Sequence, residues 1–129
     1  MKIINYIALC LAFAAVAVGA TRVTGTVTDD SGAVIPRAMI LVHWDSAGSA
    51  VGLDSNVGIK KDLVLTTDAR GSVSIELPSG FYDLFVSAMA FTPACRKIRL
   101  NGAATSKISF RLAVDPKVTR ELGDRFPAR

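Results

Sequence analysis

Between Arg22 and Val114, apolar and polar positions alternate in short bursts, and most bursts end in residues that turn a chain. Ser72 to Leu77 shows the period most plainly. Val73, Ile75 and Leu77 fall on one face and Ser72, Ser74 and Glu76 on the other, the two-residue repeat of a strand with one face buried. Arg22 to Thr28 sets Val23, Gly25 and Val27 opposite three threonines. Ala38 to Trp44 is apolar on both faces, which predicts a central strand covered on both sides. Leu63 to Thr67 follows after a long connection. A further strand puts Tyr82, Leu84, Val86 and Ala88 on one face, and Arg96 to Leu100 and Lys107 to Val114 complete the set.

The punctuation is equally regular. Asp29-Asp30-Ser31-Gly32 and Asp68-Ala69-Arg70-Gly71 each offer a carboxylate to accept backbone N–H bonds and a glycine able to take positive φ. Pro78-Ser79-Gly80 makes a third turn, and Pro36 fixes the entry to the second strand. Seven short strands at this spacing predict an all-β protein, a seven-stranded Greek-key β-sandwich. No amphipathic helix of ordinary length is visible, although a single helical turn fits near Val118 to Leu122. Residues 115–129 are charged, contain Pro116 and Pro127 and lack a period, so they read as a C-terminal tail or a strap over one edge.

Residues 1–20 have a different pattern. Lys2 supplies a charged start, Ile7 to Val18 an apolar run, and Val18-Gly19-Ala20 a small-residue end. That order predicts a secretory signal peptide cut after Ala20. The run is shorter than the roughly 20 residues a spanning helix needs, so no transmembrane segment is expected after cleavage. Cys10 follows Leu9, where a lipidation signal has a small residue. The product is expected to be exported, periplasmic or secreted, with one domain over residues 21–114.

Charge and cysteine content narrow the partners. The chain carries 15 basic and 11 acidic residues, a net charge of +4; of these, cleavage removes only Lys2, which leaves +3. With no basic run and an export signal, nucleic acid is not an expected partner. Cys95 is the only cysteine left after cleavage, so no intrachain disulfide can form, and a small apolar core residue is its simplest reading.

The turn residues carry a resemblance. Gly25, Asp29, Gly32, Pro36 and Ala38 are followed by Thr67, Asp68 and Gly71, then by Leu77, Pro78, Gly80, Tyr82 and Phe91. This series, spanning roughly Val23 to Leu112, resembles the carboxypeptidase regulatory-like domain, a transthyretin-like β-sandwich first known as the non-catalytic partner of metallocarboxypeptidases. The resemblance implies that fold and a binding or structural role. The chain departs from the pattern at Arg37 and Ala90, where glycine is usual, and at Val73, where an aromatic is common. We read these as packing differences. Hydroxyisourate hydrolases share the overall fold, but their several histidines, arginines and Tyr-Arg-Gly-Ser ending have no counterpart here.

Catalytic chemistry finds little to work with. His43 is the only histidine and reads as a strand-end residue, since a zinc site needs further ligands. Asp29 and Asp68 sit where turns need them, Asp30 and Asp83 form no calcium loop with them, and Ser31, Ser72 and Ser74 have no neighbouring base. No metal or other cofactor and no enzyme activity are expected.

Four surface features remain as partner-binding candidates. Phe81 and Phe85 should face outward with Asp83 as a small apolar patch, unless the long connection or the tail covers it. Lys97, Arg99, Lys107 and Arg111 should form one basic stripe if the last two strands pair as a hairpin. The connection Ser46 to Asp62, with Val51, Leu53, Val57 and Ile59, is long enough for recognition, and the loop Asn101 to Ser106 follows it. Carbohydrate modules present aromatic platforms, and the single tryptophan, Trp44, ends a strand that reads as buried. A protein partner is therefore expected ahead of an anionic or neutral polysaccharide. The sequence leaves the oligomeric state open.

Overall fold

The computed structural model describes residues 20–47 and 57–125. Seven strands form two sheets packed face to face. One sheet has the order β4-β1-β7 and the other β3-β2-β5-β6, where the strands are β1 (Ala20–Asp29), β2 (Met39–Trp44), β3 (Leu63–Thr66), β4 (Ser72–Pro78), β5 (Gly80–Ser87), β6 (Ala94–Leu100) and β7 (Thr105–Leu112). This is the predicted all-β sandwich. β1 runs antiparallel to β4, with Gly25 opposite Val73, and parallel to β7, with Gly25 opposite Ile108. In the second sheet all pairings are antiparallel.

The two-residue periods set the core. Val23 and Val27 from β1, Ile40 and Val42 from β2, and Tyr82, Leu84 and Val86 from β5 are buried against Ile108, Phe110 and Leu112 from β7. Burying these faces is the main favourable term in the fold. Gly25 leaves room for a neighbour: a Cβ there would lie 3.0 Å from Val73 Cγ2. The Tyr82 ring is fully buried and its hydroxyl donates to the Pro78 carbonyl at 2.6 Å, which ties the strand to the turn before it.

The two Asp-Gly turns close in the same way. Asp29 Oδ1 accepts from Ser31 N at 2.8 Å, Ser31 Oγ at 2.6 Å and Ala33 N at 3.0 Å. Asp68 Oδ1 accepts from Arg70 N at 2.9 Å and Ser72 N at 3.0 Å. These bonds favour the ionised form, so both carboxyls lie below the ordinary aspartate range, Asp29 chiefly through Ser31 and Asp68 chiefly through Ser72. Between the turns, buried Thr67 accepts from Ala38 N at 2.8 Å and donates to the Ile35 carbonyl at 2.7 Å.

Several expectations are corrected. β2 is central, between β3 and β5, but only its inner half, Ile40 and Val42, is buried, while Met39 and His43 are exposed. Its outer apolar residues are uncovered because no further layer lies on that face among the described residues. β6 and β7 do not pair as a hairpin. Residues 101–104 carry the chain from one sheet to the other, and Thr21 Oγ1 donating to Ala103 O at 2.6 Å and Arg22 N to Ala104 O at 3.0 Å deliver β7 to the side of β1. Cys95 is exposed on β6, not packed in the core.

Arg37 and Ala90 have φ of 58° and 71°, so the glycine expected at these positions answers a backbone need, not a packing one. Residues 116–125 form helix α1 (Pro116–Arg125), more than the single turn expected. Local signals start it: Asp115 Oδ1 accepts from Lys117 N at 2.9 Å, and Pro116 stands at the first helical position. Residues 1–19 of the expected signal peptide (residues 1–20), Val51 and Leu53 of the connection, and residues 126–129 lie outside the described residues, and Ala20 is the first residue of β1.

Candidate interaction surface

The outer face of the four-stranded sheet is built in rows across the strands. One row runs from Val64 on β3 through Leu41 on β2 and Phe85 on β5 to Cys95 on β6. Val64 is 60 % exposed and Phe85 45 %, Cys95 is exposed, and Leu41 is half-buried between its neighbours. Met39, 49 % exposed, lies two residues from Leu41 on the same face. The patch is therefore contiguous by strand register, not a scatter of single residues.

The next outward row is charged. His43 Nδ1 lies 2.7 Å from Asp62 Oδ1, His43 faces Asp83 across β2 and β5, and Asp83 faces Lys97 across β5 and β6. Lys97 is bonded to Asp45 and lies 3.3 Å from Asp83. Its ammonium titrates above the usual lysine range, first because of the Asp45 hydrogen bond and then because of Asp83. Phe81 and Arg99 are partners in the following row, with Phe81 half-buried. Apolar and ionic halves thus share one rigid face.

Of the expected site residues, Phe81, Phe85, Lys97 and Arg99 share this surface. Lys107 and Arg111 do not. They are exposed on the outer face of the three-stranded sheet, opposite Thr24 and Thr28 of β1. The expected single basic stripe is therefore split between two faces, for the same reason that β6 and β7 belong to different sheets. The described tail and connection do not bury Phe85. Leu41, Val64, Met39 and Cys95 complete the patch and were missed: the unbroken apolar run of β2 concealed its outward half, and the length of β3 gave too few positions to show which of its residues face out.

The connection supports the scaffold. Val57 N and Gly58 N donate to the Ser79 carbonyl at 3.0 and 3.3 Å, and Gly58 lies so close to the Trp44 indole that a Cβ would come within 2.1 Å of it. The tryptophan is thus covered by backbone and offers no open stacking platform. Asn101 to Ala104 is held against β1 by the two bonds that route β7. Among the described residues, no group of three His, Cys, Asp or Glu side chains could hold a metal ion, and no helix is long and apolar enough to cross a membrane.

The architecture recurs in solved structures at low identity. Catechol 1,2-dioxygenase from Acinetobacter radioresistens superposes with a TM-score of 0.58 at 14 % identity, over 78 % of this chain and 54 % of the dioxygenase. 3-Chlorocatechol 1,2-dioxygenase from Rhodococcus opacus 1CP gives 0.55 at 9 % identity, over 75 % and 61 % of the two chains. The Bacillus anthracis TIE protein gives 0.56 at 15 % identity, over 74 % of this chain and 17 % of that one. The chain spans about half the length of the first of these, and the likeness is one of fold. No curated protein matches the chain in sequence. The model of the carboxypeptidase regulatory-like domain matches residues 22–113, from the third position of β1 to just beyond β7, and the chain belongs to that family.

Proposed function

We propose that this domain is an exported, non-catalytic binding or structural module that docks a protein partner on the outer face of its four-stranded sheet. The observation that carries the reading is the open row Val64–Leu41–Phe85–Cys95, bordered by Met39. Exposed apolar surface forfeits about 25 cal/mol per Å² relative to burial, and a contiguous patch rimmed by polar groups is the usual sign of a protein-binding surface. The adjoining charged row supplies a polar rim. The covered indole of Trp44 argues against sugar stacking as the main mode of recognition.

The test is site-specific photocrosslinking in the producing cells. A benzoylphenylalanine at position 85 is expected to give a discrete protein adduct, identified by mass spectrometry, and the same probe at position 26 on the other sheet to give none. Equal adducts from both positions, or none from either, would sink the reading.

A further inference from the structure

The apolar row of the four-stranded sheet is balanced about its own middle. Its bulky members, Leu41 and Phe85, stand on the two central strands, and the smaller Val64 and Cys95 stand on the two edges. The adjoining charged row is neutralised from within. Asp62 Oδ1 lies 2.7 Å from His43 Nδ1, and Lys97 is held by Asp45 and Asp83. That row therefore needs no counter-charge from an occupant. The row on the other side, Thr66, Met39 and Ser87, is uncharged. A fitting occupant brings a matching apolar row and sets no like charge against the ions.

The face itself meets both conditions. Two copies can be laid face to face about a two-fold axis that runs along the strands, between β2 and β5. This operation reverses the strand order and keeps every row at its own level. Leu41 then lies over Phe85 of the second copy and Val64 over Cys95, so the apolar row is covered along its whole length. At the charged level Asp62 lies over Lys97 and His43 over Asp83, with no acid on an acid. At the third level Met39 lies over Ser87. A two-fold axis across the strands fails. It lays the charged row over Met39 and Ser87 and takes ions out of water with nothing to replace it, which is costly.

We infer that this face is an isologous interface between two copies of the chain. The inference rests on the docking role proposed above and names the partner. Closed two-fold pairs are the commonest oligomers, and a patch that complements itself is what they require. Aligned stacking is also an ordinary way for sheets to pack. The chain has a net charge of +4, so two copies repel in most approaches. The internally balanced charges of this face avoid that repulsion. Three rows across four strands measure roughly 20 by 20 Å, small beside the roughly 800 Å² per partner of a standard interface. The dimer is therefore weak and forms with rising concentration.

The experiment crosslinks Val64→Cys in the purified protein with bismaleimidoethane, which adds one thiol at each end. The two-fold sets the new thiol against Cys95 of the second copy. Within one chain the two positions are three strand intervals apart, about 14 Å, too far for this short reagent. Cys95 of one copy is displaced from Cys95 of the other by the same intervals. The expected product is a closed dimer linked twice, with little dimer from the unmodified chain or from Thr26→Cys on the other sheet. Sedimentation should show the unlinked protein dimerising with concentration. Val64→Glu, at an exposed position outside the core, should weaken that dimer by more than about tenfold, because it sets a carboxylate in the covered apolar row.

A ladder of larger products would overturn the inference, since it marks an open head-to-tail contact. So would equal crosslinking of Thr26→Cys or of the unmodified chain, no crosslinked dimer at all, or unchanged sedimentation of Val64→Glu. The position-85 probe separates this outcome from the docking role. An adduct of twice the chain's mass supports the pair. An adduct with a different protein and none with a second copy leaves docking on the face standing, and only the identity of the partner falls.

Discussion

The two sheets bury similar inner faces and show opposite outer ones. On the three-stranded sheet, Thr24 lies between Ser74 and Lys107, and Thr26 between Ser72 and Ser109. On the four-stranded sheet the corresponding rows are Val64–Leu41–Phe85–Cys95 and His43–Asp83–Lys97. Threonine suits a half-exposed strand and stays solvated at its hydroxyl. Nothing in the fold prevents the second face from being built the same way, because the core is supplied by the other half of each strand. The difference is therefore not imposed by how the chain folds, and on the docking proposed above it belongs to what each face meets. That separation can be tested by breaking the shared scaffold first and the faces afterwards.

The largest effect is expected at Gly71, in the turn that leads from β3 of one sheet to β4 of the other. It has φ of 70°, and a Cβ would lie 2.8 Å from the Val27 carbonyl oxygen and 3.0 Å from Val34 Cβ. Left-handed strain alone costs roughly 1–2 kcal/mol for an L-residue, and the contact with backbone adds to it. Gly71→Ala should lower unfolding free energy in urea by about 2 kcal/mol or more and weaken both faces together. A loss under about 0.5 kcal/mol would mean that the turn yields and does not tie the sheets.

Tyr82 comes next, since it serves the scaffold and neither face. Tyr82→Phe leaves the half-buried Pro78 carbonyl without its donor, a loss of about 1 kcal/mol. Burial also pushes the phenol up from 10.0 to about 12. The folded state holds the proton more tightly than the unfolded one. The contribution is therefore complete below pH 10 and is lost as pH rises through about 12. Phenolate absorbance should rise together with unfolding near the upper value. A step at pH 10 in the still-folded protein would show that the hydroxyl is open to water.

The sequence made the scaffold legible because turns and periods are local. Asp29, Gly32, Asp68, Gly71 and Tyr82 announce geometry within a few residues, and the structure uses each as read. The surface was less legible because it depends on strand order. Lys97 and Lys107 have the same alternation in sequence, yet four residues between the strands place them on different sheets. An apolar run such as Met39 to Val42 does not reveal whether its second face is covered, since periodicity is silent when both faces are apolar. The helix after Asp115 was missed because its start rests on a cap and a proline, not on an apolar stripe.

A graft sharpens the comparison of faces directly. Met39→Thr, Leu41→Thr and Phe85→Thr together give the four-stranded sheet the chemistry of its neighbour. Cross-strand pairs on an open face contribute roughly 0.2–1 kcal/mol each, so the triple variant should remain folded and lose about 1–2 kcal/mol at most. Binding of a hydrophobic dye, and the adduct from a probe at position 64, should disappear. Unfolding of the triple variant would show that the apolar row is structural and would end the distinction between the faces.

The smallest effect is expected at Ala90, and its sign carries the information. Arg37 and Ala90 are the described non-glycine residues with positive φ, and both border the four-stranded sheet, one before β2 and one after β5. Beside Ala90, Met89 is 95 % exposed at the same end of that sheet. Ala90→Gly relieves left-handed strain, but glycine also has more freedom to lose from the unfolded chain. The net gain should be about 0.5 kcal/mol. Strain of this kind persists where the surrounding structure fixes it, often at functional positions. If it holds Met89 and the end of β5 in place for the docking face, Ala90→Gly should raise stability while weakening the position-85 adduct. A gain in stability with no change in the adduct would detach this connection from the docking face and confine that surface to the strands.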